Sequence, residues 1–516
     1  MRCVAGAGLV VLVGCNQVFG IHKTEPYDAA PDVIADRTYV KLTSRVAGVL
    51  PSGAPDLEPV DLPIAPAPRV RYAALDQAWQ DASYDPDGTV TVARELFAAQ
   101  PDGGLVPWRF EYTLSDGVPH EVQWAPEDKH GQLAIPLFGR AVREVAPSSA
   151  GYDVAPIGVN PLQSPRVFTT GLWTEGIASN HNTASVTYSF GSAVSMSGPR
   201  GRPDPAQGDR AFVIDYGIDD PTACRFATGS AVLASAALEA SGHSTPMATW
   251  DASKRAVSSA NVAPAGHDIT RFGAIASLGG APVVGSFSFG YAASAVLAGL
   301  PGVPRSAQLP VSTVLPTPVM LTILQCPYKP LAMAYDQVAA AQPAALDPFS
   351  RIMHVQLYST RTVDGVALVS GMESATLGAT FTGFVPTFPA AIPVAVQLEA
   401  AGGGMTDLLG PSEGVAVGPP GRFTVHITPE AEAGVRADYY DVTLHRFDAG
   451  GLTTERIYTV ISPEVVLDAA SLAPAADYVL EIRSFRGHPN VRQGDFRQVE
   501  YPYGSAILFT RKFHTS

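Results

Sequence analysis

From Tyr39 onward, apolar side chains recur at every second position in short runs separated by Gly, Pro, Asp and Asn. Val90 and Val92, then Phe110, Tyr112 and Leu114, set the pattern, and Val186, Tyr188 and Phe190 repeat it. Met353, Val355 and Leu357, then Val394, Val396 and Leu398, carry it through the middle of the chain. This period of two marks strands with one face buried. The unbroken apolar stretches AFVIDYG at 211–217 and VMLTIL at 319–324 fit strands buried on both faces. Asp87-Gly88, Asp102-Gly103 and Asp116-Gly117 are hairpin signals, so 39–125 is expected to form a small antiparallel domain. Helical spacing is confined to pieces such as 230–240 and 337–342. The expected fold is all-β, with several β-sandwich modules in tandem.

The first residues follow a different pattern. Arg2 precedes an apolar and small-residue run from Val4 to Val13, and Gly14 and Cys15 close it. The run is shorter than the roughly 20 residues a membrane span needs and has the form of a secretory signal. Leu12-Val13-Gly14-Cys15 resembles the bacterial lipobox, at which the cysteine thiol is lipidated before cleavage. That resemblance implies a lipid anchor at Cys15. Asn16 stands where Asp would favour retention in the inner membrane, which implies an outer-membrane lipoprotein on the cell surface or the periplasmic face. Residues 16–38 are acidic and Pro-containing, as a flexible tether would be.

At 516 residues the chain is expected to divide into three or four domains. The 48 Gly and 45 Pro, with only 16% charged residues, agree with a turn-rich β-protein. After the domain at 39–125 come a connector at 126–160, a central β-rich region at 161–415 of one or two sandwiches, and a C-terminal domain at 416–516. The weakly marked Pro343–Pro348 stretch is where a division of the centre would fall. The net charge of −14 becomes −15 once Arg2 is removed with the signal, and no basic stripe interrupts it. Nucleic-acid binding is therefore excluded. Once Cys3 is cleaved away and Cys15 is lipidated, Cys224 and Cys326 remain, either as one disulfide or as two separate buried thiols. No zinc-spaced Cys/His cluster and no cofactor motif is present.

The last hundred residues carry the sharpest pattern. Tyr440, Val442 and Leu444 alternate with polar residues, as do Tyr478, Leu480 and Ile482. Between them, Leu472, Pro474 and Tyr478 in SLAPAADYVLEI resemble the fibronectin type III family, over about Gly421 to Phe513. The resemblance implies a sandwich in which Leu472 plugs one end, Pro474 fixes a turn and the Tyr478 hydroxyl bonds the backbone upstream. AILFTRKF at 506–513 would close it. Ile427 occupies the place of that family's core Trp. The layout as a whole, a lipobox followed by β-modules, is similar to the cell-surface lipoproteins of myxobacteria and their relatives.

No catalytic signature emerges. Gly242-His243-Ser244 is followed by Pro246 where a nucleophile elbow needs Gly. His267-Asp268 fits an exposed turn. His120-Glu121 starts like a zincin motif, but Trp124 replaces the second His, and Glu121 is expected to face solvent. Asp85 and Asp87 lack the remaining ligands of a calcium loop and fit a plain turn. Trp108, Phe110 and Tyr112 share one strand face and fit a core. Trp173 in the loop-like GLWTEG is the candidate ligand contact, able to stack on a sugar or a partner. The expected function is structural or binding, through adhesion or envelope-complex assembly, without catalysis and with an unidentified protein or carbohydrate partner. An exported hydrolase acting on polysaccharide or protein is the alternative.

Overall fold

The computed structural model describes, side chains included, residues 38–44, 61–93, 106–125, 130–134, 268, 270, 271, 273, 357, 359–374, 387–410, 414–497, 500 and 502–516. For the other strands named below it gives the backbone course. The protein is all-β, built from sandwiched sheets. One long sheet forms its spine. In spatial order its strands are Leu315–Thr317, Val284–Ala292, Ser350–Val363, Val366–Leu377, Tyr503–Phe509, Asp477–Arg486, Tyr439–Asp448, Gly451–Val460, Pro119–Trp124, Trp108–Thr113, Arg69–Ala74 and Gln80–Ala82.

A four-stranded sheet covers the N-terminal half of this spine. Thr38–Ala47 pairs with Val60–Pro63 and Thr89–Val92 on one edge and, in parallel, with His130–Phe138 on the other. Val40, Leu42, Val90 and Val92 pack on Trp108, Phe110, Tyr112 and Val122, all of which are buried. Tyr84, in the crossing between Gln80–Ala82 and Thr89–Val92, fastens that crossing to the small sheet, because its hydroxyl accepts from Ile64 N–H and donates to the Leu42 carbonyl, at 2.7 and 2.8 Å.

A second four-stranded sheet, ordered Met405–Asp407, Pro393–Ala400, Phe423–Pro429 and Glu464–Leu467, covers the C-terminal half. Val396, Leu398, Val425, Ile427 and Val465 face Val442, Leu444, Tyr458, Leu480, Ile482 and Leu508. Tyr478 is buried, and its hydroxyl accepts from Ala473 N–H at 2.6 Å, an upstream backbone bond of the kind the resemblance at Leu472, Pro474 and Tyr478 implies. Leu472 is also buried. The closing stretch is not one strand, since it breaks between Tyr503–Phe509 and Phe513–Thr515.

The two halves meet where Pro119–Trp124 runs parallel to Gly451–Val460, with Glu121 beside Tyr458 and Val122 beside Thr459. Partners across a ladder lie on one face, so this register has a geometric consequence. Tyr458 shares its face with Val442, and Val122 shares the other with Phe110, so the two small sheets cover opposite faces of the spine. Loops add to the join: Gln132 and Phe496 N–H donate to the carbonyls of Gly494 and Gln132 at 2.8 and 3.0 Å, and Trp124 meets Phe496 edge-on. Gly494 sits here at φ +80°, where an added Cβ would lie 2.2 Å from the His130 carbonyl oxygen. Gly494→Ala is expected to cost at least the 1–3 kcal/mol of a strained backbone, and in practice more, because the clash is with main chain. Urea unfolding measures it.

The domain layout read from the sequence changes accordingly. The expected connector at 126–160 contains His130–Phe138, which belongs to the N-terminal sandwich. The C-terminal sandwich begins upstream of 416, because Pro393–Ala400 pairs with Phe423–Pro429. Asp116-Gly117 makes the expected hairpin, whereas Asp87-Gly88 carries the chain from one sheet to the other, between Gln80–Ala82 and Thr89–Val92. Asp102-Gly103 lies outside the described residues. In the centre, eight strands form a separate sheet that includes Ala211–Asp220 and Arg225–Leu233. The second of these takes in 230–233, where helix was expected, and its pairing with Ala211–Asp220 overrides the local propensity of alanine. The chain enters this sheet twice, since Met333–Asp336 joins it after Val284–Ala292 and Leu315–Thr317 have joined the spine. Val394 is exposed despite the alternation, because a bulge between Pro393 and Ala395 shifts the register and turns it outward.

Candidate functional site

Two clusters of charge stand out on this frame, one at the seam and one at a loop end. At the seam, Glu111, Glu121, Arg109 and Arg456 are all buried. Arg456 Nη1 donates to Glu111 and Glu121 at 2.5 and 2.8 Å, and Arg71 grips the same Glu111 through both oxygens. Arg109 contacts Asp468 at 3.2 Å and Glu121 at 3.8 Å. The Trp79 ring lies under both Arg71 and Arg109, at 4.6 and 4.1 Å, and its indole N–H donates to Asp468. Burial raises the Glu121 carboxyl above its ordinary value against the pull of Arg456 and Arg109. The Gln123 side chain acts as an extra backbone unit, donating to the Val466 carbonyl and accepting from its N–H. Glu121, expected at the surface, is buried because the seam turns it toward the C-terminal core beside Tyr458. The cluster is a joint between sandwiches, with each carboxylate held by arginine.

The second cluster surrounds a cleft of about 490 Å³ at one end of the C-terminal sandwich. Its walls are the loop between Phe423–Pro429 and Tyr439–Asp448, the loop after Asp477–Arg486, the entering segment 387–389, and a helical turn carrying Asp268 and Arg271. Asp438 ties the two loops together. Its carboxylate accepts from the N–H groups of Gly487 and His488 at 2.8 and 2.9 Å, and from Arg486 at 3.1 Å. Asp438 N–H in turn donates to the Phe485 carbonyl at 2.7 Å. Arg436 stands at the rim, 62% exposed in its side chain, with its Nε 3.3 Å from the Asp438 carboxylate.

Behind this wall lies His488, 2% exposed, edge-on to Tyr439, Phe485 and Tyr503. Among the described residues neither ring nitrogen has a hydrogen-bond partner, and burial pushes its pKa down to about 4. It is a neutral imidazole in an aromatic cage. In the sheet itself, Glu481 is held down to about 2; burial alone would raise it, but Arg483 and His445 outweigh that.

No family model matches the chain. No curated protein matches it. Among solved structures it is similar, at 7% identity and a TM-score of 0.16, to three N-terminal domains of the bacteriophage RB49 highly immunogenic outer capsid protein, over 92% of this chain and 99% of that one. It is similar to trypsin-activated alpha-2-macroglobulin from Escherichia coli at 8% identity and a TM-score of 0.14, over 93% of this chain and 23% of that one. Overlays this loose carry no argument about fold or function.

Cys15, Trp173, Cys224, Cys326, Ser244 and His267 lie outside the described residues. Trp108, Phe110 and Tyr112 are core, as expected. Asp268, expected in an exposed turn, is fully buried because it accepts from Arg271 Nη1 at 2.7 Å. The Asp87 carboxylate accepts from the Thr89 amide and hydroxyl, which is turn chemistry. Among the described residues no group of His, Cys, Asp and Glu stands as a metal site, and no helix is long and apolar enough to cross a membrane. No local pattern marks Arg271, Asp438 or His488, most of whose partners come from distant parts of the chain.

Proposed function

We propose that this chain is a membrane-anchored envelope lipoprotein of the bacterial cell surface or periplasm, and that it binds a protein or carbohydrate partner at the loop end of its C-terminal sandwich. The observation that carries the reading is the cleft itself: two loops clamped to each other by Asp438, at one end of a sandwich braced through the seam by a second sandwich. Such a frame holds loop residues in fixed positions, which lowers the ordering cost of binding. The Tyr478 hydroxyl bond and the buried Leu472 support a fibronectin type III-like reading of this sandwich. The lipobox resemblance at Leu12–Cys15 supports the anchor, and a lipid-modified cysteine would hold the chain on the membrane without a spanning helix.

Two measurements test the reading. Cys15→Ala is expected to move the protein from the membrane pellet to the soluble fraction, and unchanged pelleting would refute the anchor. Arg436→Gln removes the charge at the cleft rim and its exposed ion pair with Asp438, while the Asp438 bonds to Gly487 and His488 that clamp the loops remain. It is expected to weaken retention on isolated envelope fractions by about tenfold, as loss of a polar interface contact does. Unchanged retention would place binding elsewhere on the molecule.

A further inference from the structure

Arg271 presents an unusual degree of saturation. A guanidinium carries five N–H donors in a rigid plane, and here each of the five has an acceptor. Nε and Nη2 donate to the two oxygens of Glu430 at 2.9 and 2.5 Å, in the fork geometry that suits a carboxylate. Nη2 also donates to the Ala390 carbonyl at 2.9 Å, and Nη1 to the Phe388 carbonyl at 2.8 Å and to Asp268 at 2.7 Å. All but the Asp268 bond come from the C-terminal sandwich, more than a hundred residues away along the chain.

The acceptors on the sandwich, Glu430 and the carbonyls of Phe388 and Ala390, are positioned without help from the arginine. Glu430 Oε1 accepts from Ile392 N–H at 2.8 Å, and Glu430 N–H donates to the Ile392 carbonyl at 2.9 Å. The segment carrying the Phe388 and Ala390 carbonyls is fixed by a parallel bridge to Arg436, through Arg436 N–H on Pro389 and Ala391 N–H on Arg436. A carboxylate fork and two carbonyls, held by other bonds beside the loop-end cleft that Phe388 lines, are a built receptor for one shape of cation.

We propose that the end of the C-terminal sandwich is a guanidinium-docking socket whose ligand is an arginine side chain, and that in this structure Arg271 fills it in cis. The filled socket clasps the helical turn of the central region against the sandwich beside the cleft. A lysine cannot replace it, since a compact ammonium with three donors cannot span the Glu430 fork and both carbonyls at once. This holds whether or not the cleft takes an envelope partner.

The test uses the full-length chain. Arg271→Ala empties the socket while Ile392 and Arg436 keep its acceptors in place. Millimolar ethylguanidinium is expected to raise the melting temperature of this variant by several degrees, with an affinity about tenfold tighter than that of ethylammonium. It should leave the wild-type chain, whose socket is full, unchanged. Adding Glu430→Gln to Arg271→Ala should abolish the response. Equal shifts with the two cations, an equal shift in the wild type, or no shift in Arg271→Ala would each overturn the assignment. If Arg271→Ala does not fold, its refolding is compared in the two cations. Recovery with ethylguanidinium alone supports the socket, and recovery with both or with neither overturns it.

Discussion

Arg456→Ala should destabilise the protein by about 3–5 kcal/mol, the cost of stranding buried charge when one partner of an ion pair is removed. Arg456 is the shared cation between Glu111 and Glu121, neither of which can turn to solvent from its strand. Arg71 still holds Glu111 in the variant, so the larger share of the cost falls on Glu121, whose remaining cation, Arg109, stands 3.8 Å away. The loss should be smaller at acid pH, because burial already raises the Glu121 carboxyl and the variant removes one of the cations opposing that rise. Adding Glu121→Gln should restore part of the stability, since a neutral amide needs no counter-charge. Urea midpoints of the single and double variants measure both effects. A single variant within about 1 kcal/mol of wild type, the range of surface ion pairs, would mean that the seam charges are solvated.

The second large effect concerns acid. His488 titrates at about 4 in the folded protein against an ordinary 6.5, with burial the first cause. The unfolded chain therefore takes up the proton first as pH falls. Its contribution to stability is complete above 6.5 and is lost progressively between 6.5 and 4, to a total of about 3 kcal/mol. The depressed carboxylates Glu481, Asp468 and Asp477 act in the same direction but only below their ordinary values near 4, and the raised Glu121 carboxyl acts oppositely because the folded chain takes up its proton first, so the loss of stability in the upper part of the window is that of His488. His426 works oppositely: its bond to Glu399, opposed by partial burial and reinforced by Glu464, raises its pKa, so its contribution fades as pH rises through the raised value. That pair is near the surface and its effect is small. His488→Phe keeps the aromatic cage and removes the two unpartnered nitrogens. It should flatten the stability profile between pH 6.5 and 4 and stabilise the protein at neutral pH. A profile as steep as that of the wild type would show that the acid sensitivity arises elsewhere.

Much of the strand content was written in alternation. Val442 and Leu444, like Leu480 and Ile482, point into the core because a period of two against a covering sheet leaves no other register. Tyr478 was legible for a similar reason, since its bond to Ala473 closes within a few residues. One local signal was overlooked: Asp364-Gly365, both at positive φ, turns Ser350–Val363 back on Val366–Leu377 as tightly as any hairpin dipeptide does. What could not be seen were relations between remote segments. Nothing around Glu121 says that its strand pairs in parallel with 451–460, so a residue that alternates like a surface group becomes a buried one. The same holds for Arg271 and Glu430, and for Asp438 and His488. Several strands separate the members of each pair along the chain, and only the folded sheets bring them together.

The molecule is a single braced frame, with the N-terminal sandwich paired into the sheet that carries the cleft loops. Native-state hydrogen exchange of the full chain, with and without Arg456→Ala, tests this most directly. The amides of 119–124 and 451–460 should be strongly protected in the wild type and should lose protection together in the variant, because they share one ladder. Independent exchange of the two strands, with 451–460 unchanged when the seam is weakened, would contradict it and leave two sandwiches that merely touch.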